Sequence, residues 1–435
     1  MTDAPIPSRP LAAWNTPSTR ILIGLAIGLF AGVAVNMQAP QLHGPALTIL
    51  APIGRLWLDA LTMTVVPLVF GLLVGAVGSA ASKASAGGVT ARAMAWFCML
   101  LVGACTLGAL AALLLLDWLP IPDGGLTLRS ANGPAPAVES RAWFEGLIPA
   151  NPVKAAAEMN MTPLVVFALF FGFATTRIRQ ELRVSLANTF EGLVETMLVI
   201  VRWVLLAGPL GVMALAFGVG AQAGGAAAGA LAHYVLAVVV ACLTVILAAY
   251  LLVTVLGRIS PLAFARAAGP VQAIALGSQS SLACLPAMIN AAGVLKASPN
   301  VSGVVLPLAV AIFRAASAAA NVAVAIYLAK AFGVALTPAS VGMAVLVAAA
   351  VSLAAVGLPA QVSFFATIGP VALALGAPLG ALPLLLAVET IPDLFRTLGN
   401  VTSDLAITRI LGRERKSSRP HPGERDQPME ASRAL

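Results

Sequence analysis

Six polar side chains with complementary chemistry recur near the carboxyl end of the chain. They are Glu389, Asp393, Arg396, Thr397, Asn400 and Asp404. At about 100° per residue of an α-helix, these side chains fall within an arc of roughly 100°. Three acids, one arginine and two small polar groups on one face can hold a charged molecule or an ion. This face ends a long apolar run, because no charged residue lies between Lys330 and Glu389.

The composition decides where such a face can lie. Of the 435 residues, 60% are apolar and only 10% are charged, whereas a soluble domain carries about 25% charge. We therefore expect a polytopic membrane protein whose partner is the lipid bilayer. A charged group at the bilayer centre costs on the order of 3 kcal/mol, so the polar face must line a protein interior or a watery cavity.

The net charge of +8 does not indicate nucleic-acid binding, because the basic residues lie mostly at helix ends and in the tails. Apolar segments long enough to span a bilayer cover about residues 21–35, 49–77, 93–116, 161–174, 190–219 and 227–256. Basic residues fall on alternate connections, which predicts cytoplasmic amino and carboxyl termini and an inner (plasma) membrane location. The polar stretch 117–160 then lies outside.

Two later apolar stretches are interrupted in comparable ways. Ser278-Gln279-Ser280-Ser281 is followed by Pro286, and Gly357-Leu358-Pro359 interrupts the second stretch. Such pairs of interrupted segments predict discontinuous helical hairpins around a site at the bilayer midplane. The order hairpin, helix, hairpin, helix implies two related halves. The expected fold is all-α, with eight transmembrane helices, two re-entrant hairpins and inverted repeats.

Specific motifs then point to one family. The last helix carries the pattern Asp-x-x-Arg-Thr-x-x-Asn-Val-Thr-x-Asp, from Asp393 to Asp404. Further matching stretches are Val65–Phe70, Ile148–Pro152 and the serines of the first hairpin. From about Ile21 to Leu411 the chain resembles the dicarboxylate/amino acid:cation symporter family, which includes glutamate and aspartate transporters.

The resemblance implies a homotrimer in which a mobile domain carries substrate past a rigid scaffold, like an elevator. Residues 1–18 would be a cytoplasmic segment and residues 412–435 a disordered cytoplasmic tail. Residues 19–256 would hold scaffold helices 1, 2, 4 and 5, with helices 3 and 6 of the transport domain. Residues 257–411 would form the transport core of hairpin 1, helix 7, hairpin 2 and helix 8.

The resemblance also implies roles for individual residues. Ser280 and Ser281 would present hydroxyl and amide groups to the substrate, and Gly357 to Pro359 would form the gating tip. In the last helix, Asp393 would bind the substrate's amino group and Arg396 its side-chain carboxylate. The remaining substrate contacts are assigned to Thr397, Asn400, Arg314 and Ser317. No cofactor is expected besides a coupling ion, Na⁺ or H⁺.

The chain departs from the family in the seventh span. Relatives carry Asn-Met-Asp-Gly-Thr where this chain has Phe313-Arg314-Ala315-Ala316-Ser317. Two oxygen ligands for Na⁺ and a helix-breaking glycine are therefore missing. On the cation side Ser352, Asn400 and Asp404 survive, the last two as sodium ligands in relatives. We expect Arg314 to supply the missing positive charge, and Glu389 or Asp404 to bind a proton unless the protein works by exchange.

Several alternatives remain open on the sequence alone. Asp393 and Arg396 could form a structural ion pair, and Arg314 could be an internal counter-ion without a transport role. The chain lacks the His-Glu-x-x-His and Gly-x-Ser-x-Gly motifs, so an enzyme is not expected. A passive channel is disfavoured by the two interrupted hairpins. Acidic amino acids are the favoured substrates because Asp393 repels ligands that lack an ammonium, and C4-dicarboxylates are the alternative.

Overall fold

The computed structural model describes residues 17–84, 88–122, 148–223, 226–354 and 360–413. Within these ranges every regular element is helical, apart from one isolated bridge between Ala297 and Arg413. In chain order the α-helices are α1 (Pro17–Gln38), α2 (His43–Thr62), α3 (Val65–Ala84), α4 (Gly88–Trp118), α5 (Pro152–Ala157), α6 (Met161–Thr175), α7 (Gln180–Leu206), α8 (Gly208–Ala223), α9 (Ala226–Val255), α10 (Pro261–Ser278), α11 (Leu285–Val294), α12 (Pro299–Ile312), α13 (Ala315–Ala331), α14 (Pro338–Ala354), α15 (Ala360–Ala374), α16 (Leu382–Ala387) and α17 (Thr390–Gly412).

Many of these helices are long and apolar enough to cross a bilayer. Within the described ranges five helical segments qualify, and a sixth is added if α7 and α8, which meet at a 60° bend, form one span. The prediction of an all-helical polytopic membrane protein is therefore confirmed. The count of eight spans stays a prediction, because α6 has only 15 residues and α17 carries the charged residues of the polar face.

One group of helices forms around α1 and α8, with α2 packed beside α8. Along α1, Gly24, Gly28 and Gly32 repeat at a spacing of four and face the backbone of α8, where any Cβ would overlap carbonyl groups. Such small-residue stripes let membrane helices approach closely, and van der Waals contact then replaces the hydrophobic effect as the main attraction.

A second group surrounds α13, which packs against α4, α9, α15 and α17. Every residue of α13 from Ala315 to Ala329 is buried, which explains why this helix is rich in alanine. Gly108 of α4 lies directly against the backbone of Ala319. The amino-terminal end of α13 therefore lies at the centre of the protein, walled by helices on all sides.

The predicted first hairpin appears as α10 and α11, which pack against each other. The first of them ends at Ser278, and Gln279 follows in the left-handed conformation with φ of 52°. The second hairpin appears as the contacting helices α14 and α15. Its tip, including Gly357 and Pro359, lies outside the described residues, so the gating role assigned to it stays a prediction.

The seventh span is broken although its sequence lacks the glycine that we took to be its helix breaker. Helix α12 ends at Ile312, and α13 begins only at Ala315. Between them Phe313 and Arg314 adopt non-helical torsions. Phe313 is buried and stacks on Phe97 of α4, with ring centroids 4.9 Å apart. The helix is therefore broken here without a glycine, and the Phe313 side chain packs against α4 at the break.

The predicted spans map onto α1, α2 with α3, α4, α6, α7 with α8, and α9. The first helix begins at Pro17 and the last ends at Gly412, close to the proposed boundaries at residues 18 and 411. The end of α17 is fixed by Arg409, which donates to the carbonyl oxygens of Gly257 and Lys296 at 3.2 and 2.8 Å. Residues 1–16 and 414–435 lie outside the described residues, and the domain assignments remain predictions.

The close approach of α4 and α13 gives a test of the fold. We expect Gly108→Leu to destabilise the protein by roughly 1–3 kcal/mol or more, because the side chain overlaps backbone atoms of α13. Gly103→Leu on the same helix is the control, since nothing lies within 4 Å of its added Cβ. Thermal unfolding of the detergent-solubilised protein, followed by size-exclusion chromatography, measures both. Equal stability of the two variants would contradict this packing.

Candidate functional site

The site forms where α17 crosses the beginning of α13. At the crossing, Gly399 contacts Ala316 so closely that a Cβ on Gly399 would overlap the alanine side chain. This close approach brings the polar face of α17 against the first turn of α13. The amide groups of that turn have no partners within their own helix, so they need acceptors from elsewhere.

Asn400 supplies such an acceptor from the neighbouring helix. Its Oδ1 accepts hydrogen bonds from the backbone N–H groups of Ala316 and Ser317, at 3.0 and 3.2 Å. Its Nδ2 donates to the Ser317 hydroxyl at 2.8 Å. Asn400 therefore caps α13 as an N-cap side chain does, although it belongs to another helix. Two residues predicted for the site, Asn400 and Ser317, thus lie together.

Arg396 connects the same turn to the beginning of α17. Its Nη1 donates to the Ser317 carbonyl oxygen at 3.1 Å and to Asn321 Oδ1 at 2.7 Å. Its Nε lies 2.6 Å from Glu389 Oε1 in an ion pair. Nη2 is buried and donates to no acceptor among the described residues. The guanidinium is therefore held on one side and keeps a spare donor on the other.

Glu389 is fixed by a second donor. The hydroxyl of Tyr234, on α9, donates to Glu389 Oε2 at 2.7 Å. The carboxylate is 9% exposed, so the tyrosine and the arginine together replace the water that it loses. The ion pair of Arg396 with Glu389 differs from the alternative weighed on the sequence, in which Asp393 was the structural partner of this arginine.

Three further charges lie around the break between α12 and α13. Arg314 is partly buried there, and its charge is attracted by the carboxylates of Asp393 and Asp404 and repelled by Arg396. Asp404 is fully buried, and neither of its oxygens accepts a hydrogen bond within the described structure. Arg314 attracts the Asp404 carboxylate, and its role as the source of positive charge for this acid or for the substrate stays a prediction.

The remaining predicted residues lie on α17, on α14 and in the loop of the first hairpin. Thr397 and Ser352 are buried, and the Ser352 hydroxyl has no hydrogen-bond partner in the described part of the chain. Ser280 and Ser281 lie in the loop of the first hairpin, and the Ser280 hydroxyl accepts from the Ala283 N–H. The hairpin is joined to α17 by a different pair, Gln272 with Thr402, at 3.0 Å.

Sequence reasoning missed Asn321 and Tyr234. Asn321 was detectable, since it is a lone amide in an alanine-rich helix, one turn after Ser317. Tyr234 carries no comparable signal because tyrosine is common among apolar residues. Only the packing of α9 against α17 shows that its hydroxyl reaches Glu389.

The described side chains around this turn are a poor match for a sodium site. A hard cation takes several oxygen ligands, yet the Asn400 oxygen already accepts two N–H bonds. Phe313 and Ala315 offer no oxygen from their side chains, and Arg314 brings a positive charge to Asp404. Among the described residues, no three His, Cys, Asp or Glu side chains cluster as metal ligands do.

Three known proteins align with this chain over more than nine-tenths of both lengths. The chain is 26% identical over 412 residues to the proton/glutamate-aspartate symporter of Escherichia coli (strain K12), covering 92% of this chain and 93% of that protein. It is 25% identical over 416 residues to the proton/sodium-glutamate symport protein of Bacillus subtilis (strain 168), covering 91% and 92%. It is 22% identical over 426 residues to the C4-dicarboxylate transport protein of Stenotrophomonas maltophilia (strain R551-3), covering 95% and 91%.

A family model covers the same region. The model described as the sodium:dicarboxylate symporter family matches residues 18–414, which include every helix that contributes to the site. The members of this family are symporters and not enzymes, in agreement with the charged, enclosed site described above. By the extent of this match, the chain belongs to the sodium:dicarboxylate symporter family.

Proposed function

We propose that the protein is a secondary transporter of acidic amino acids, with aspartate or glutamate as its substrate. The observation that carries this proposal is the guanidinium of Arg396, which is buried, held on one side and left with a free Nη2 donor. A spare buried donor of this kind favours a carboxylate as its partner, since charge-assisted hydrogen bonds of arginine are strong and directional.

The other end of the substrate fits Asp393. This carboxylate is only partly buried and lies on the same face of α17 as Arg396, one turn earlier. An acid suits an ammonium group, and the two side chains together match the opposite ends of an acidic amino acid. We assign further polar contacts to Thr397, Ser280 and Ser281. The amide groups of the hairpin tips, at Gly357 to Pro359 in the second hairpin, suit the remaining carboxylate.

Proton coupling through Glu389 follows from the sharing of Arg396. In the structure the guanidinium is paired with Glu389 at 2.6 Å. When a substrate carboxylate draws the guanidinium away, Glu389 becomes a buried carboxylate without its main counter-ion, which costs several kcal/mol. Uptake of one proton removes this cost. Substrate and proton therefore bind together, with Tyr234 keeping its hydrogen bond to the protonated carboxyl.

Asp404, the second candidate for proton binding, is fully buried, and neither of its oxygens accepts a hydrogen bond within the described structure. Arg314 acts on it from the break in the seventh span, so a guanidinium tethered to the protein takes the place of a soluble cation. We propose that transport is accordingly independent of sodium. Arg314 is part of the chain, so its charge cannot move down a gradient and drive transport. The coupling ion is then the proton bound at Glu389, unless the protein works by exchange of substrates.

Transport of C4-dicarboxylates is the second candidate. It is favoured by the influence of Arg314 on Asp393, since a nearby guanidinium offsets the acid that would repel a substrate without an ammonium. One of the relatives is named a C4-dicarboxylate transport protein. A passive channel is the rival of another class. Counterflow separates it from a carrier, because only a carrier takes up labelled substrate faster into preloaded vesicles.

The mode of operation is proposed from the family resemblance. We expect a homotrimer in the plasma membrane, with both termini cytoplasmic and an elevator movement of the helices around α13. The α1–α8 group would form the static part. Its exposed apolar side chains, such as Phe30, Ile49 and Leu56 of α1 and α2, suit contact with lipid or with another copy of the chain.

The substrate assignment is tested by Asp393→Asn. We expect aspartate binding to weaken by about tenfold to a hundredfold, because a charge-assisted hydrogen bond to the substrate ammonium is lost, while succinate binding stays equal or strengthens. Calorimetry on the purified protein measures both ligands. Glu158→Gln is the control, since Glu158 is an exposed acid that pairs only with Lys154. Equal losses for aspartate and succinate would contradict the role of Asp393.

Sodium independence is tested by replacing sodium with choline in proteoliposome uptake. We expect rates that agree within about twofold, whereas a strict sodium requirement would contradict the proposal. Arg314→Met should abolish uptake because it leaves Asp404 uncompensated. The double variant Arg314→Met with Asp404→Asn should recover substrate binding. Lys330→Met is the control cation, exposed and paired with Asp117.

Proton coupling is tested by Glu389→Gln. The amide keeps an acceptor for Tyr234 but cannot bind a proton, so we expect substrate counterflow to persist while substrate-driven proton movement disappears. A pH-sensitive dye inside proteoliposomes reports the proton movement. If the glutamine variant still carries protons with substrate as the unmodified protein does, Glu389 is not the coupling group.

A further inference from the structure

A histidine that the proposed transport mechanism does not use joins three helices. His233, on α9, is 7% exposed. Its Nε2 lies 3.0 Å from the carbonyl oxygen of Leu119, just after the end of α4. Its Nδ1 lies 3.4 Å from the hydroxyl of Tyr327 on α13. That hydroxyl donates to the carbonyl oxygen of Ala230 at 2.8 Å.

Counting the protons in this cluster identifies the form of the imidazole that fits it. A carbonyl oxygen only accepts, so Nε2 must carry a proton to bond with Leu119. Tyr327 has one hydroxyl proton, and Ala230 accepts it, so the tyrosine oxygen can only accept from His233. Nδ1 must then carry a proton as well. The doubly protonated imidazolium satisfies all three contacts, whereas either neutral tautomer leaves two acceptors facing each other.

The surroundings also suit a positive charge. The carbonyl groups at the end of α4 form the negative end of a 31-residue helix, which attracts a cation. At the nearby ends of the adjacent helices, Asp117 of α4 and Lys330 of α13 pair at 3.0 Å and so largely offset each other. Among the described residues, contacts link the cluster to Tyr327, to Tyr234 and through it to Glu389, which pairs with Arg396.

The cluster is continuous with the proposed coupling site. Tyr234 follows His233 directly in the chain and holds Glu389. Its ring packs edge-on against Tyr327, with centroids 5.5 Å apart. The same tyrosine that accepts from His233 therefore also supports the tyrosine that holds Glu389. A change in the hydrogen bonds of His233 alters the position of Tyr327 and, through it, of Tyr234.

We propose that His233 is a proton-binding site that positions Tyr234 against Glu389 in response to protons from the side at which α4 ends. With the proton bound, α4, α9 and α13 are held together at this end. Without the proton, the contact between His233 and the Tyr327 hydroxyl is lost, and Tyr327 no longer holds Tyr234 in this position. This role rests on the proposed function of Glu389.

Transport by the full chain in proteoliposomes tests the positioning role. Counterflow of aspartate needs no proton gradient, and we measure it with external pH varied from about 5.5 to 8, across the range in which histidine titrates. We expect a rate about two- to tenfold higher at the acid end, the effect of one hydrogen bond. His233→Gln keeps a donor for Leu119 but binds no proton. We compare the variants in the Glu389→Gln background, which removes proton binding at Glu389, and there the profile of His233→Gln should be flat.

Two further variants sharpen the comparison. Tyr327→Phe keeps the ring and removes only the hydroxyl, so it should flatten the profile as His233→Gln does. His421→Gln, in the carboxyl-terminal tail, is the control and should keep the original profile. If His233→Gln retains the pH response of its Glu389→Gln parent, the positioning role is overturned.

A measurement without substrate separates this inference from the proposed function. In protein labelled with ¹⁵N-histidine, the signal missing from His233→Gln identifies the residue. We expect both of its ring nitrogens to be protonated at the acid end of the titration and one at the alkaline end. A neutral His233 at the acid end would overturn the proton site even if transport proceeds as proposed. Absence of counterflow in every variant would instead count against the transport function.

Discussion

Burial of charge in an apolar interior constrains the whole centre of this protein. An ionised group that leaves water needs a partner of opposite charge or several hydrogen bonds. Arg396 meets this need with Glu389, Asn321 and the backbone of α13. Glu389 meets it with Arg396 and Tyr234. Arg396 contacts α13 and Glu389 contacts α9, so these two charged residues hold α9, α13 and α17 together.

The apolar packing makes this arrangement possible. An alanine-rich α13 lets four neighbours approach it, and Gly108 and Gly399 allow the closest contacts. Because the helices are so close, short side chains suffice to bridge them. Asn400 reaches the first amides of α13 from α17 and caps that helix where its own chain supplies no side-chain cap. The broken seventh span is thus stabilised from outside, without a glycine at the break.

The change of residues at the break has a functional meaning under the proposed mechanism. The buried acids of this chain need positive charge near them if they are ionised. In this chain Arg314 acts on Asp404 and Asp393, so part of that charge is covalently attached. A tethered cation cannot move down a gradient. The driving ion must then act elsewhere, and the shared guanidinium of Arg396 makes Glu389 the group best placed to exchange a proton with each substrate.

The sequence by itself determined the membrane class, the family and most of the polar face. Hydropathy over 20-residue windows and a long motif from Asp393 to Asp404 are local properties, so they can be read along the chain. It also predicted that Arg314 supplies positive charge, either to Asp404 or to the substrate. It gave no means of choosing Glu389 over Asp393 as the partner of Arg396, or of finding Tyr234. Those pairings join residues up to 155 positions apart, and only the packing of α9 and α13 against α17 decided which side chains meet.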